Sequence, residues 1–208
     1  MAQEQAPAGG APIVAFDFDG TITTKDSFTT FLKWRAGPVR WWVGCLQLIP
    51  AALAYGFHRD RGRIKAASVK LFLKGVPHDR LEADAIRFAE LYAGRLFRPD
   101  ALATWKRWRD RGARMVIVTA SPEIVVRPFG RALGADMVLG TQLSYDADNR
   151  VLGAFSGPNC RGPEKVVRLH EVFGPDVRLA AAYGDTSGDT EMLAIADEPG
   201  YRVFTAKP

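Results

Sequence analysis

The chain has only two cysteines in 208 residues, Cys45 and Cys160, far apart and without Cys-x-x-Cys spacing. That argues against a disulfide framework and against a zinc site, and it fits a reducing cytoplasm. There is also no strong charge imbalance: 28 Lys and Arg against 23 Asp and Glu leave a formal net charge of +5. So mild an excess suits an anionic substrate or an acidic surface. It is too weak to argue for nucleic acid, and no nucleic-acid motif accompanies it. The opening residues lack the basic-then-apolar order of a signal peptide, so 1–11, with their Gln, Glu, Gly and Pro, read as a disordered tail. No internal repeat is present. What remains is an ordinary globular composition, 47% hydrophobic and 25% charged, at a length suited to one core domain and a modest insertion.

The organising stretch is Ile13-Val14-Ala15-Phe16-Asp17-Phe18-Asp19-Gly20-Thr21. Its apolar lead-in predicts a short buried strand. The strand ends on two carboxylates, a glycine and a threonine, and chemistry in open α/β sheets sits at the carboxyl ends of strands. Asp17 and Asp19 are two apart, on one face of an extended backbone, and a turn at Gly20 can swing Asp19 further round. Two carboxylates this close repel unless a cation or proton separates them. A hard divalent ion such as Mg²⁺ is the natural partner.

From Asp26 or Ser27, either of which can cap a helix, the pattern is helical to about residue 99. Gly37-Pro38 is expected to break the first helix. Further helices are expected over 63–74, 81–96 and 99–111. Buried strands follow at 114–119, 137–141 and 178–183, with a last one at 201–204. Residues 143–155 resemble a hairpin turning at Asp148-Asn149. Helices are expected from about 123 to 133, from about 163 to 172, and after Asp189. Strands alternating with helices imply an α/β fold with a parallel sheet. The helical block at 28–99 then reads as an inserted cap, with 12–27 and 100–208 forming the core.

Residues 41–57 contain no charged side chain and are flanked by Arg40 and by His58-Arg59-Asp60-Arg61. Three readings are open. The run could be a buried helix of the insert, an interfacial anchor making peripheral membrane contact, or a short span interrupted by Pro50.

Four polar signals fall at strand ends and one helix start: Asp17 with Asp19, Thr119, Lys165, and Asp185 with Asp189. Singly, Asp185 reads as a helix cap and Lys165 as a solvated lysine. Together they supply what phosphoryl transfer through an aspartate requires. One carboxylate attacks phosphorus, and a second gives and takes protons. A cation neutralises the approach, while a hydroxyl, amides and an ammonium hold the phosphoryl oxygens.

In this order, Asp-Phe-Asp-Gly-Thr, an apolar pair with Thr119, then Lys165, then Gly-Asp-x-x-x-Asp, the chain resembles the haloacid dehalogenase-like phosphatases. The all-helical insert is similar to that of the subgroup containing phosphoserine phosphatase. The resemblance implies a Rossmann-like core and a role for each residue. Asp17 would be nucleophile and Mg²⁺ ligand, and Asp19 general acid/base and metal ligand through its backbone carbonyl. Thr119, with Ala120 and Ser121 beside it, would hold phosphate, and Lys165 would pair with the phosphoryl group and Asp17. Asp185 would ligate the ion, and Asp189 would orient the metal shell or ligate directly.

The resemblance also frames the substrate. Asp26 falls where phosphoserine phosphatases read the substrate amine. The position that would carry their carboxylate-binding cap arginine is Ser68, which lacks a guanidinium fork; Arg63 or Lys65 could substitute. The 41–57 run and Gly162-Pro163-Glu164-Lys165-Val166 resemble the bacterial phosphatidylglycerophosphatases of the same superfamily. Either a small phosphate ester or a lipid phosphate therefore fits. The rivals are a phosphotransferase, a receiver-like module and a catalytically silent regulator; dehalogenase chemistry is disfavoured by Asp19.

Overall fold

The computed structural model of the chain describes residues 10–49 and 61–208. Strand β1 (Ile13–Phe16) is the axis, with Val14, Ala15 and Phe16 fully buried. It is flanked by β2 (Arg114–Pro122) on one side and β6 (Leu179–Gly184) on the other; β3 (Met137–Thr141) and β7 (Ala196–Tyr201) complete the order β3-β2-β1-β6-β7. Every pairing in this sheet is parallel. Its central strands are continuous apolar runs because both faces are covered. Two short strands, β4 (Leu143–Tyr145) and β5 (Val151–Phe155), form the separate antiparallel hairpin expected there.

Register sets up the site. Phe16 lies opposite Ile117 of β2 and Tyr183 of β6, and the Asp17 amide still donates to Tyr183 O at 2.8 Å. The motif residues therefore leave the sheet at one level. They do so where the chain order changes direction about β1, which is where ligands bind in open α/β sheets.

Among the described residues, the helices between β1 and β2 are α1 (Ser27–Gln47), α2 (Arg61–Leu73), α3 (His78–Leu96) and α4 (Pro99–Asp110). Gly37-Pro38 breaks α1 into two helical segments, as expected. Gly37 takes φ 73° and ψ 169°, and helix resumes at once, because proline is well placed in the first turn of a new segment. Phe18, at the end of the organising stretch, packs on Phe129 at 5.4 Å and on Phe97 at 6.4 Å. Phe129 lies in α5 (Glu123–Leu133) and contacts Phe88 of α3 at 5.7 Å. One apolar cluster thus runs from the sheet into the inserted helices. The remaining helices are α6 (Pro163–Phe173) and α7 (Thr190–Ala194).

The last strand is not at 201–204. It is Ala196–Tyr201, paired in parallel with β6 from Leu179↔Ala196 to Gly184↔Tyr201. Its sequence, with Asp, Glu, Pro and Gly, has little strand character. It is an edge strand, where proline is tolerated, and Arg202, at φ 54°, turns the chain away immediately after it. Residues 1–9 of the expected tail and 50–57 of the uncharged run lie outside the described residues.

Candidate active site

Asp17 and Asp19 leave β1 on a turn made by Gly20, whose φ of +91° suits only glycine. A Cβ there would also stand 2.3 Å from Asp185 Oδ2. Close approach of these two loops therefore depends on the missing side chain. Thr21 Oγ1 lies 3.3 Å from Asp17 Oδ2 and 3.4 Å from Asp185 Oδ1, linking both carboxylates.

Lys165 enters from the first turn of α6, which Pro163 starts. It is 1% exposed, so the solvated-lysine reading fails. Its Nζ donates to Asp17 Oδ1 at 2.6 Å, Asp189 Oδ1 at 2.7 Å and Val118 O at 2.6 Å. All three ammonium protons are satisfied. Asp189 is saturated from its other oxygen too: Oδ2 accepts from the amides of Asp185 and Thr186 and from Thr186 Oγ1. Asp185 is less committed, its carboxylate accepting from Thr21 alone among the described residues.

The second strand delivers the rest. Thr119 is wholly buried inside β2, which runs on to Pro122 instead of ending at 119, at the point where its pairing with β3 shifts register. Its Oγ1 accepts from the Ser121 amide at 3.1 Å. Ser121 Oγ donates to Asp19 Oδ2 at 2.5 Å, while Asp19 Oδ1 accepts from the Ser27 amide at 2.6 Å. Both oxygens of Asp19 are thus engaged, and it stands outside the cluster of Asp17, Asp185 and Asp189. Ala120 lines the cleft beside Asp17, Asp19 and Lys165, and the cleft holds about 110 Å³. A larger depression of about 670 Å³ between Thr104, Tyr183, Pro199 and Phe204 contains none of these carboxylates, so volume does not mark the site.

Asp26 caps α1 by accepting from the Thr29 amide at 2.7 Å and also reaches the cleft. There it faces Lys65 of α2, whose Nζ is 3.7 Å from Asp26 Oδ2 and donates to Ser121 Oγ at 3.3 Å. Ser68 bonds back to Ile64 O within α2 and is absent from the residues lining the cleft. The side chain of Arg63 lies outside the described residues. Sequence reasoning did not single out Asn159, Arg161 or Thr186, which also line the cleft. The only signal for Arg161 was a cation four residues before Lys165.

The electrostatics follow from burial. Burial raises the Asp17 carboxyl to about 7, with Asp189 and Asp19 adding to the rise and Lys165 opposing it. Burial also raises Asp19, reinforced by nearby Asp26, and raises Asp185, reinforced by Asp189. Burial would raise Asp189 as well, but Lys165 and the Thr186 donors outweigh it and hold that carboxyl low. Lys165 is pushed up: burial opposes its charge, and the two carboxylates more than compensate.

One oxygen from each of Asp17, Asp185 and Asp189 lies within 4.8 Å of the others. An all-oxygen acidic set of this kind suits Mg²⁺. Three carboxylates gather there around one buried ammonium, which leaves negative charge to be balanced. These residues fit a divalent cation.

A family model described as haloacid dehalogenase-like hydrolase matches residues 14–194. The chain belongs to that family. This hydrolase is 64% identical over 196 residues to "Protein CicA" of Caulobacter vibrioides, covering 94% of the chain and 88% of CicA. Its fold matches a Bordetella pertussis Tohama I protein of unknown function (TM-score 0.76, 19% identity, 92% and 89% coverage). It also matches a substrate-bound phosphoserine phosphatase (TM-score 0.64, 18% identity, 93% and 86% coverage). At such identities the two structures speak for the fold.

Proposed function

We propose that this hydrolase is a Mg²⁺-dependent phosphomonoesterase working through an aspartyl phosphate on Asp17. The observation that carries the reading is Lys165 held between Asp17 and Asp189 at the mouth of β1. Asp17 and Asp185 would hold the ion by carboxylate, Asp19 by its backbone carbonyl, and Asp189 would orient the shell. Bound there, Mg²⁺ supplies positive charge that lets carboxylate and phosphate meet.

An oxygen of Asp17 forms a bond to phosphorus as the ester P–O bond breaks, and the leaving alkoxide takes a proton from Asp19. Burial and Asp26 raise Asp19, which favours that protonated state. Water then attacks phosphorus and yields its proton to Asp19. Inorganic phosphate leaves, and Asp17 returns as a carboxylate. Lys165, Thr119 and the amides of Ala120 and Ser121 would hold the phosphoryl oxygens, Lys165 and the Ser121 amide each giving up a present contact to do so. Transfer to an alcohol instead of water would use the same first step.

For the substrate, two further cations at the cleft favour an ester with a second negative group. They are Lys65 and Arg161, and Arg161 has no carboxylate partner among the described residues. Phosphoserine is a candidate with Lys65 in place of a cap arginine; an anionic lipid phosphate is the other.

The test is phosphate release from p-nitrophenyl phosphate with Mg²⁺ and with EDTA, alongside beryllofluoride trapping. Metal-dependent release, loss of turnover by at least ~10³-fold in Asp17→Asn and an adduct at Asp17 are expected. Wild-type-like turnover by Asp17→Asn would overturn the reading.

A further inference from the structure

We infer that the outer face of the second half of α1 docks this protein onto an anionic membrane surface. Beyond the kink at Gly37, Val39, Trp42, Val43 and Leu46 recur at i, i+3, i+4 and i+7, which is one face of a helix. They are 77%, 68%, 48% and 66% exposed, and Ile49 just past the helix is 48% exposed. The opposite face is committed to the interior: Trp41 stacks on Phe72 at 5.5 Å, and Gly44 is buried against the same ring. The helix is therefore apolar on both sides, and nothing among the described residues covers the outer one. Isolated apolar side chains on a surface need no explanation, but a contiguous stripe containing a tryptophan does.

Charge selects lipid as the occupant. Arg40 follows Val39 directly and opens on a depression that also holds Arg35, Arg80 and Arg87 but only one carboxylate, Asp84. Asp84 pairs with Arg35 at 2.8 Å and Arg80 at 3.3 Å. Arg40 and Arg87 are exposed and have no carboxylate partner among the described residues. From 41 to 57 the sequence carries no charge, and it then turns basic again at His58, Arg59, Arg61 and Arg63 against Asp60. An uncovered apolar stripe beside arginines that have no carboxylate partner among the described residues matches the boundary between headgroups and acyl chains. Among the described residues, no helix is long and apolar enough to cross a membrane, so the helix lies on the surface. This inference does not depend on the proposed chemistry.

The test uses the full chain with vesicles of phosphatidylcholine alone and of phosphatidylcholine mixed with phosphatidylglycerol, at low and high salt. Co-sedimentation is expected with the mixed vesicles, weakened by salt. It should fall at least ~10-fold in the Trp42→Glu/Leu46→Glu variant, which loses two inserting side chains. Because both positions face outward, the variant should keep its melting temperature and its p-nitrophenyl phosphatase rate. Absence of sedimentation with mixed vesicles, or equal sedimentation by a folded variant, would overturn the inference. So would a wild-type dimer in analytical ultracentrifugation that the variant dissolves, with no vesicle binding by either form; that result would assign the stripe to a second copy of the chain.

Discussion

Lys165 Nζ stands 2.6 Å from Asp17 Oδ1, with both side chains almost wholly buried. The ammonium also holds Asp189 at 2.7 Å, so one cation is shared by two carboxylates. Removing it leaves both without their counter-charge, and breaking a buried pair from one side is far costlier than never having built it. Lys165→Met should therefore destabilise the metal-free protein by about 3–5 kcal/mol in denaturant unfolding and abolish turnover. Mg²⁺ should restore part of the stability and none of the activity. A stable variant in EDTA would contradict the shared-cation account.

Gly20 lets the first motif loop approach the loop after β6. With φ at +91° and Asp185 Oδ2 only 2.3 Å from an added Cβ, Gly20→Ala must push Asp185 out of place. Gly112 is the control: its φ is +75° and nothing lies within 4 Å of an added Cβ. Gly112→Ala should lose about 1 kcal/mol from backbone strain alone and keep its Mg²⁺ response. Gly20→Ala should lose more stability and most Mg²⁺-dependent turnover. Melting curves and Mg²⁺ titrations of the two variants separate strain from metal geometry.

The motif residues were legible because their chemistry is local. Asp17 and Asp19 follow an apolar run directly, and Thr119 ends another, so strand ends and site residues could be read together. Most helix bounds were also legible, since Pro77, Pro99, Gly134 and Pro163 punctuate the chain. Partner choice was not. That Asp19 would turn to Ser27 and Ser121, or that Arg161 would lie against Gly188, depends on contacts between loops distant in sequence. The misplaced last strand has the same cause. Residues 196–201 are a strand because β6 offers them a free edge, which composition does not reveal, whereas Tyr201 to Phe204 look like one and stop at the backbone turn of Arg202.

Cys160 should be chemically silent at ordinary pH. It is fully buried, and that burial pushes its thiol up to about 11 despite the nearby Lys165. Cys45 is only partly buried. Iodoacetamide at pH 8 should label Cys45 in the native protein and reach Cys160 only after unfolding, as read by peptide mass spectrometry. The unfolded chain releases this proton before the folded one does. Stability should therefore decline as pH climbs from about 9 toward 11, and Cys160→Ala should flatten that part of the curve.

Arg161 is the residue on which substrate choice should turn. Its guanidinium donates to Thr186 Oγ1 at 3.3 Å and Ser187 Oγ at 3.2 Å. It occupies the space over Gly188, where a Cβ would stand 2.1 Å from Nη1. Two hydroxyls orient the fork without neutralising it, so its charge is available to an anion in the cleft beside the phosphate position. Phosphonoacetate carries such a second anion and methylphosphonate does not. Wild-type protein with Mg²⁺ should therefore be inhibited more tightly by phosphonoacetate. Arg161→Ala should abolish that preference, roughly a tenfold loss for one charge-assisted contact, while methylphosphonate inhibition and p-nitrophenyl phosphate turnover change little. Gly188→Ala should reproduce the effect by displacing the guanidinium, with Arg161 still present. If instead both variants lose p-nitrophenyl phosphate turnover and melting temperature together, Arg161 serves only to clamp the two loops, and the cleft has no second anion subsite.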